Sequence, residues 1–273
     1  MFDLSGKTLI VTGAGSGRGR ELALQLAAKG VHVAACDIRG DALEETRGMC
    51  AKPEMMRNYV LDVADPQKTS AFPAAVKSDM GALHGIINNA GIIQPFVRFA
   101  QLSPAAVDRV MNINFLGALN LTRAVLSLLD MDTDNFIVNV SSMGGFLPVP
   151  GQSVYGASKA ALRLFTEALY GEFKGTRLHV SIVFPGAMAT GIAKNSLEEQ
   201  PGMQLDEKSG MKIKMTSALM AAGRLIEGME AGKLRIFVGK DARMMDRLYR
   251  LMPVKAINLM AGRIKGMLDK AGA

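Results

Sequence analysis

Tryptophan is absent, and cysteine, histidine and tyrosine are scarce, at two, three and four residues among 273. Cys36 and Cys50 form no CxxC pair and have no histidine cluster beside them, so no zinc site or disulfide scaffold is read, and no metal is expected. Reduced thiols in a cytoplasmic setting are the simpler expectation. No run of about 18 apolar residues occurs, which excludes a membrane-crossing helix. Met1 to Lys7 lack a basic segment followed by a long apolar one, so no secretory leader is read there. Repeats and low-complexity tracts are missing too, and a chain of this length can bury a core without covalent staples.

Acidic residues run short in one place. The last 43 residues carry ten Lys/Arg and three Asp/Glu, and the rest of the chain is balanced, so the whole net charge of +7 sits in the tail. No nucleic-acid partner is expected.

What the chain does have is an alternation of short apolar runs with helical patterns. Leu9–Val11, Val31–Cys36, Tyr59–Leu61, Gly85–Ile87, Phe136–Val140, Val180–Phe184 and Ile236–Val238 read as strands. Strands alternating with helices predict a parallel sheet covered on both faces. The fold class expected is therefore α/β, a single doubly wound parallel sheet with helices on both faces and a C-terminal helical extension. The expected division is 1–240 for the binding and catalytic domain and 241–273 for a basic amphipathic extension. Residues 188–215 break the rhythm, and a long irregular segment in a compact domain is read as a substrate lid. Met203, Met211, Met215 and Met220 hint at an apolar substrate pocket there.

Thr12-Gly13-Ala14-Gly15-Ser16-Gly17-Arg18-Gly19 joins the first expected strand to the first helix. Glycines let the backbone approach a pyrophosphate, and the new helix offers free N–H groups and the positive end of its dipole. The strand–turn–helix context raises this above a bare glycine motif and makes the fold Rossmann-like. Asp37, about 20 residues beyond the turn, can accept hydrogen bonds from an adenosine ribose and would repel a 2′-phosphate. It favours NAD over NADP, although Arg18 and Arg39 supply cations that keep NADP open.

Tyr155-Gly156-Ala157-Ser158-Lys159 places Tyr155 and Lys159 on one face of a helix. A phenol has a pKa of about 10, and a neighbouring ammonium favours its ionised form. Ser141 and Ser142 follow the strand Phe136–Val140, at the sheet edge where open α/β sheets bind ligands. His32, His84 and His179 fall in or beside apolar strands and read as packing residues.

Together with Asn88-Asn89-Ala90-Gly91, Asn114 and Pro185-Gly186, these motifs resemble the short-chain dehydrogenase/reductase family from about residue 5 to residue 240. The resemblance implies an oxidoreductase that moves a hydride between NAD(H) and a secondary alcohol or ketone, one expected to be hydrophobic. Tyr155 would be its general acid/base, and Lys159 would lower the phenol's pKa and hold the nicotinamide ribose. Ser142 would polarise the substrate oxygen, and Asn114 would hold a water linking Lys159 to solvent. Gly13, Ser16, Gly17, Arg18 and Gly19 would meet the pyrophosphate, and Asp62 and Val63 the adenine. Asn89, Ala90 and Gly91 would shape the cofactor site, with Pro185, Gly186 and Thr190 near the carboxamide. Many members carry an apolar residue where this chain has Arg18. A homodimer or homotetramer through the helices at 103–128 and 153–173 is implied as well. The alternatives are an NADP-dependent carbonyl reductase and a nucleotide-sensing protein with little catalysis.

In the tail, Pro253 ends one amphipathic stretch, and Ile257, Met260, Ala261, Ile264, Met267 and Leu268 recur at helical spacing beyond it. With Lys255, Arg263, Lys265 and Lys270, residues 254–270 could lie on an anionic membrane surface. The other reading is that the stripe faces the domain or a partner subunit.

Overall fold

All seven apolar runs become strands of one sheet. They are β1 (Thr8–Thr12), β2 (His32–Asp37), β3 (Met56–Val60), β4 (Gly85–Asn88), β5 (Asn135–Val140), β6 (Leu178–Pro185) and β7 (Arg235–Val238). The sheet is parallel throughout, in the order β3-β2-β1-β4-β5-β6-β7. The computed structural model describes residues 1–187 and 215–271.

Every residue of β1, β4 and β5 is buried, which is why these strands read as continuous apolar runs rather than alternating ones. β3 begins three residues before its expected start. It is an edge strand in which Arg57 and Val60 are exposed, so its apolar signal is broken.

The helices divide between the two faces. On one side α1 (Gly17–Ala28) and, late in the chain, the helix Ala218–Glu230 bury Leu22, Leu26, Leu225 and Ile226 against Leu9 and Val11. On the other, α3 (Pro66–Met80) and the helices Gly117–Leu126 and Ser153–Glu172 bury Phe72, Val76, Leu121 and Leu169 against Ile10, Ile86 and Ile137. Each such side chain, taken from water, contributes about 1.5–3 kcal/mol. α2 (Gly40–Gly48) follows β2. In chain order the remaining helices are α4 (Pro104–Met111), α5 (Gly117–Leu126), α6 (Ser153–Glu172), α7 (Ala218–Glu230), α8 (Lys240–Leu251) and α9 (Pro253–Ala271).

A π-helical turn, Asn112–Leu116, joins α4 to α5. At its end Gly117 lies against the carbonyl of Val63, where a Cβ would stand 3.1 Å from the carbonyl carbon. The order reverses between β1 and β4, so a crevice opens at the C-terminal ends of these strands.

The tail folds back on this frame. Ile264 and Leu268 are buried in a cluster with Phe96, with Val149 and Met260 packed around them. Ala256 is buried with Phe146 and Phe184. The expected stripe thus faces the domain at these positions; the side chains of Arg263, Met267 and Lys270 lie outside the described residues. Asp246 of α8 accepts from Arg235 of β7 at 3.1 Å and pairs with Arg250 at 3.0 Å, and Arg235 also faces Glu167 of α6 at 3.5 Å. Part of the tail's basic excess is therefore paired.

Candidate active site

The glycine turn is built by close approach. Gly13 and Gly17 have φ of +70° and +52°, a region that L side chains rarely adopt. A Cβ on Gly13 would stand 3.1 Å from Ala90 Cα, whereas one on Gly17 would meet nothing within 4 Å. The turn is thus pressed onto the end of β4 at one point and open at the other. Thr12 and Asn89 make the seam. The backbone N–H groups of Asn89 and Ala90 each donate to Thr12 Oγ1 at 2.9 Å, and Asn89 Nδ2 donates to the Thr12 carbonyl at 2.9 Å. Ser16 stands at the N-cap of α1 with no capping hydrogen bond from its side chain, so its hydroxyl leaves the first-turn N–H groups for another acceptor. This cradle fits a pyrophosphate.

Arg20 braces the turn from behind, unannounced by any sequence spacing. It donates to the Gly15 carbonyl at 2.7 Å, pairs with Glu45 at 2.7 Å and donates to Thr46 Oγ1 at 3.1 Å. Thr46 in turn donates to the Ala14 carbonyl at 3.0 Å.

Asp37, at the end of β2, accepts from the Gly15 N–H at 3.0 Å and from the Arg39 N–H at 3.1 Å. The Arg39 guanidinium lies 3.7 Å from the same carboxylate, so that cation is turned toward Asp37. Asp62 follows β3 and accepts from the Ala64 N–H at 2.9 Å, holding the turn that presents Val63 to Gly117.

The reactive groups converge from β5, α6 and the π-turn. The Ser142 hydroxyl and the Tyr155 ring both border Gly144, 3.7 and 3.4 Å from its Cβ position, and Ser142 Oγ accepts from the Gly144 N–H at 3.1 Å. Lys159, 4% exposed, donates to the Val140 carbonyl at 3.1 Å. Ser141 donates to the Lys159 carbonyl at 2.8 Å and ties α6 to the end of β5. Asn114 is buried in the π-turn, where its Oδ1 accepts from the Ile92 N–H and its Nδ2 donates to the Ile92 carbonyl, both at 2.9 Å. The same Nδ2 donates to Ser158 Oγ at 3.2 Å. A Cβ on Gly91 would stand 3.0 Å from Asn114 Oδ1 and 3.1 Å from Lys159 Nζ, so Gly91 keeps one small space open beside both groups.

Gln94, 1% exposed, frames the start of α6. Its Oε1 accepts from the N–H groups of Val154 and Tyr155, both at 2.8 Å. Gln152, at the N-cap position, makes no capping hydrogen bond with its side chain, so the acceptor comes from the loop after β4.

Desolvation in the cleft pushes the Tyr155 pKa up, and the hydrogen bond from Ser142 and the Arg18 charge oppose it. Desolvation, with Arg18 adding to it, pulls Lys159 down to about 7. Arg18 itself is lowered to about 10, again chiefly by desolvation. Its Nε donates to Asn89 Oδ1 at 2.8 Å, so the guanidinium reaches across from α1 toward the phenol.

Pro185 ends β6. Gly186 donates to the Val238 carbonyl at 2.8 Å and Ala187 to Asp241 at 2.8 Å, with the Asp241 carboxylate filling the space where a Gly186 Cβ would stand. Thr190, Met203, Met211 and nearly all of the expected lid, 188–214, lie outside the described residues. Met215 and Met220 are exposed. Arg20, Gln94 and Asp241 were not found by sequence reasoning, since each acts on a partner far away in the chain.

Residues 7–201 match the family model described as short chain dehydrogenase. The chain is 34% identical over 270 residues to SadH of Mycobacterium tuberculosis, an oxidoreductase by name, covering 97% of both proteins. It is 29% identical over 243 residues to a 2,5-dichloro-2,5-cyclohexadiene-1,4-diol dehydrogenase of Sphingobium indicum, covering 89% of this chain and 93% of that one. A short chain dehydrogenase/reductase from Burkholderia phymatum, solved in complex with NAD, superposes with a TM-score of 0.78 over 92% of this chain and 96% of that chain. At 23% identity the last is a likeness of fold.

Proposed function

The chain belongs to the short-chain dehydrogenase family, and on that premise we propose that it interconverts a hydrophobic secondary alcohol and its ketone with NAD(H), using Tyr155 as the proton-transferring group. The observation that carries the reading is the convergence of Tyr155 and Ser142 beside Gly144, with Arg18 in electrostatic reach and Lys159 one turn along the same helix. When bound, the nicotinamide supplies the hydride chemistry. Gly13, Ser16, Gly17 and Gly19 would hold its pyrophosphate, Asp37 the adenosine ribose, and Lys159 the second ribose. Asp62 and Val63 border the adenine position, with Asn89, Ala90 and Gly91 behind the ring and Pro185 and Gly186 beside it.

In the oxidation direction Tyr155 must take the hydroxyl proton, so the phenolate has to be within reach of working pH. Ser142 and the Arg18 charge favour that form against desolvation, and Ser142 orients the substrate oxygen. Asn114 fixes the wall beside Lys159 and, as in the family pattern, would seat a water there.

Absorbance at 340 nm across a panel of secondary alcohols and ketones, with both cofactors, tests the reaction. NAD is expected to bind at least about tenfold more tightly than NADP, roughly 1.4 kcal/mol, because Asp37 is held in place by Gly15 and its nearest guanidinium already faces it. Asp37→Ser should narrow the gap in calorimetric titrations. Tighter NADP binding by the wild type would favour the NADP-dependent carbonyl reductase, and sound NAD binding with no turnover across the panel would favour the nucleotide sensor.

Self-association through α4, α5 and α6 is supported by Leu116, Leu164 and Tyr170, which these faces leave exposed. A peripheral membrane contact has its own support in the corner between α8 and α9. Leu251, 79% exposed, and Val254, 67% exposed, project there beside the exposed Arg247 and Lys255. If that contact exists, co-sedimentation with phosphatidylserine vesicles should occur at low salt, fall at high salt and be lost in the double variant Leu251→Asp, Val254→Asp. No sedimentation at low salt would leave the corner to a protein interface.

A further inference from the structure

Of the four hydrogen bonds around Gln94, three involve its side chain, and two of those reach the first turn of the catalytic helix. Oε1 accepts from Val154 and Tyr155, Nε2 donates to the Gly151 carbonyl at 3.1 Å, and the Gln94 carbonyl accepts from Gln152 Nε2 at 3.2 Å. No other residue type does this here. A carboxylate has no N–H for Gly151, and an apolar side chain would orphan two buried helix donors. The frame on the far side is rigid as well. Gly151 has φ of +81°, and a Cβ on it would stand 2.9 Å from Leu268 Cδ2 and 3.0 Å from Phe96 Cε2. The loop after β4, the segment before α6 and the last helix therefore close around one buried amide.

We propose that Gln94 is a positioning residue for the reaction, a clamp that fixes the first turn of α6 and with it the reach of the Tyr155 phenol toward Ser142. The inference rests on the oxidoreductase reading for its kinetic consequence, but the clamp itself is a property of the cofactor-free protein.

The charge that acts on the phenol is Arg18 from α1, with the Ser142 hydroxyl beside it, while the Lys159 ammonium, one turn along α6, donates to the Val140 carbonyl. Freeing the first turn lets the phenol draw back from Ser142 and Arg18, the two groups that favour its ionised form. Its titration then moves to higher pH. Misplacing a reacting group by about 1 Å can cost about 100-fold in rate.

The test uses Gln94→Met, which keeps the bulk and loses both polar ends. In protein labelled with 13C at tyrosine Cζ, the Tyr155 signal is identified among the four tyrosines by its loss in Tyr155→Phe. The expected result for Gln94→Met is a Tyr155 titration displaced to higher pH without cofactor. Its kcat should fall about 10- to 100-fold, with an unchanged NAD dissociation constant and the pH profile of kcat shifted the same way. If Gln94→Met does not fold, Gln94→Asn, whose amide is too short to reach both donors, takes its place with the same expected shift. A Tyr155 titration and pH profile unchanged by Met or Asn would overturn the proposal. If the wild type turns over no alcohol or ketone, the functional reading falls, and the titration of the cofactor-free variants still decides the clamp.

Discussion

Tyr155→Phe is expected to lose about 10²- to 10⁴-fold in turnover, the range that a positioned proton-transfer group contributes. The substitution removes one oxygen and leaves the ring, which lies beside Gly144 with 3.4 Å between a Gly144 Cβ position and Tyr155 Cε1. The backbone N–H of residue 155 still donates to Gln94, so the start of α6 is kept. Ser142 loses its phenolic partner but retains the Gly144 N–H. The glycine turn, Asp37 and Lys159 are untouched, so the NAD dissociation constant should change little. Initial rates at saturating substrate, beside a calorimetric titration of NAD, separate the two quantities. Retained turnover would remove Tyr155 from the mechanism, whereas a loss of NAD binding would mean that the ring supports the cofactor site directly.

The second large effect is expected at Gly19. A Cβ there would run into the Gly13 carbonyl, with the carbonyl carbon 2.6 Å away and Asn89 Nδ2 also at 2.6 Å. Neither obstacle can move cheaply. Gly13 is pressed against Ala90, and Asn89 is tied to Thr12 and Arg18. Gly19→Ala must therefore push α1 off the end of β4, and overpacking of this kind costs about 1–3 kcal/mol. For a chain of this size that lowers Tm by roughly 2–10 °C. Nucleotide affinity should fall by more than about tenfold, over ~1.4 kcal/mol, because the same displacement misaligns the N–H groups of the turn. Gly48→Ala is the control. It lies at the end of α2 with nothing within 4 Å of its Cβ position, and should be neutral or slightly stabilising. Scanning calorimetry with and without NAD reads both effects.

The parts of this molecule that can be read along the chain are those whose cause is local. A central strand buried on both faces must be apolar at every step, so β1, β4 and β5 announce themselves, while β3 at the edge alternates and slips by three residues. A helix repeats every 3.6 residues, so Tyr155 and Lys159 must share a face, and a strand end must meet the crevice, so Ser142 is placed near them. Arg20 with Glu45, Ala187 with Asp241 and Gln94 with Tyr155 obey no such period. Their partners are 25, 54 and 61 residues apart, and only the closed sheet brings them together. The π-turn at Asn114 is equally silent in the sequence, and Gly117 at its end meets Val63 from a different element. The tail was legible as an apolar stripe but not in its destination. Periodicity says that a face will be covered, and Phe96 and Gly151, far upstream, say by what.

The last helix leans through Leu268 on Gly151, whose carbonyl holds the amide that caps the catalytic helix. A change in α9 that moves Leu268 would thus be expected to reach the start of α6 through Gly151 and Gln94.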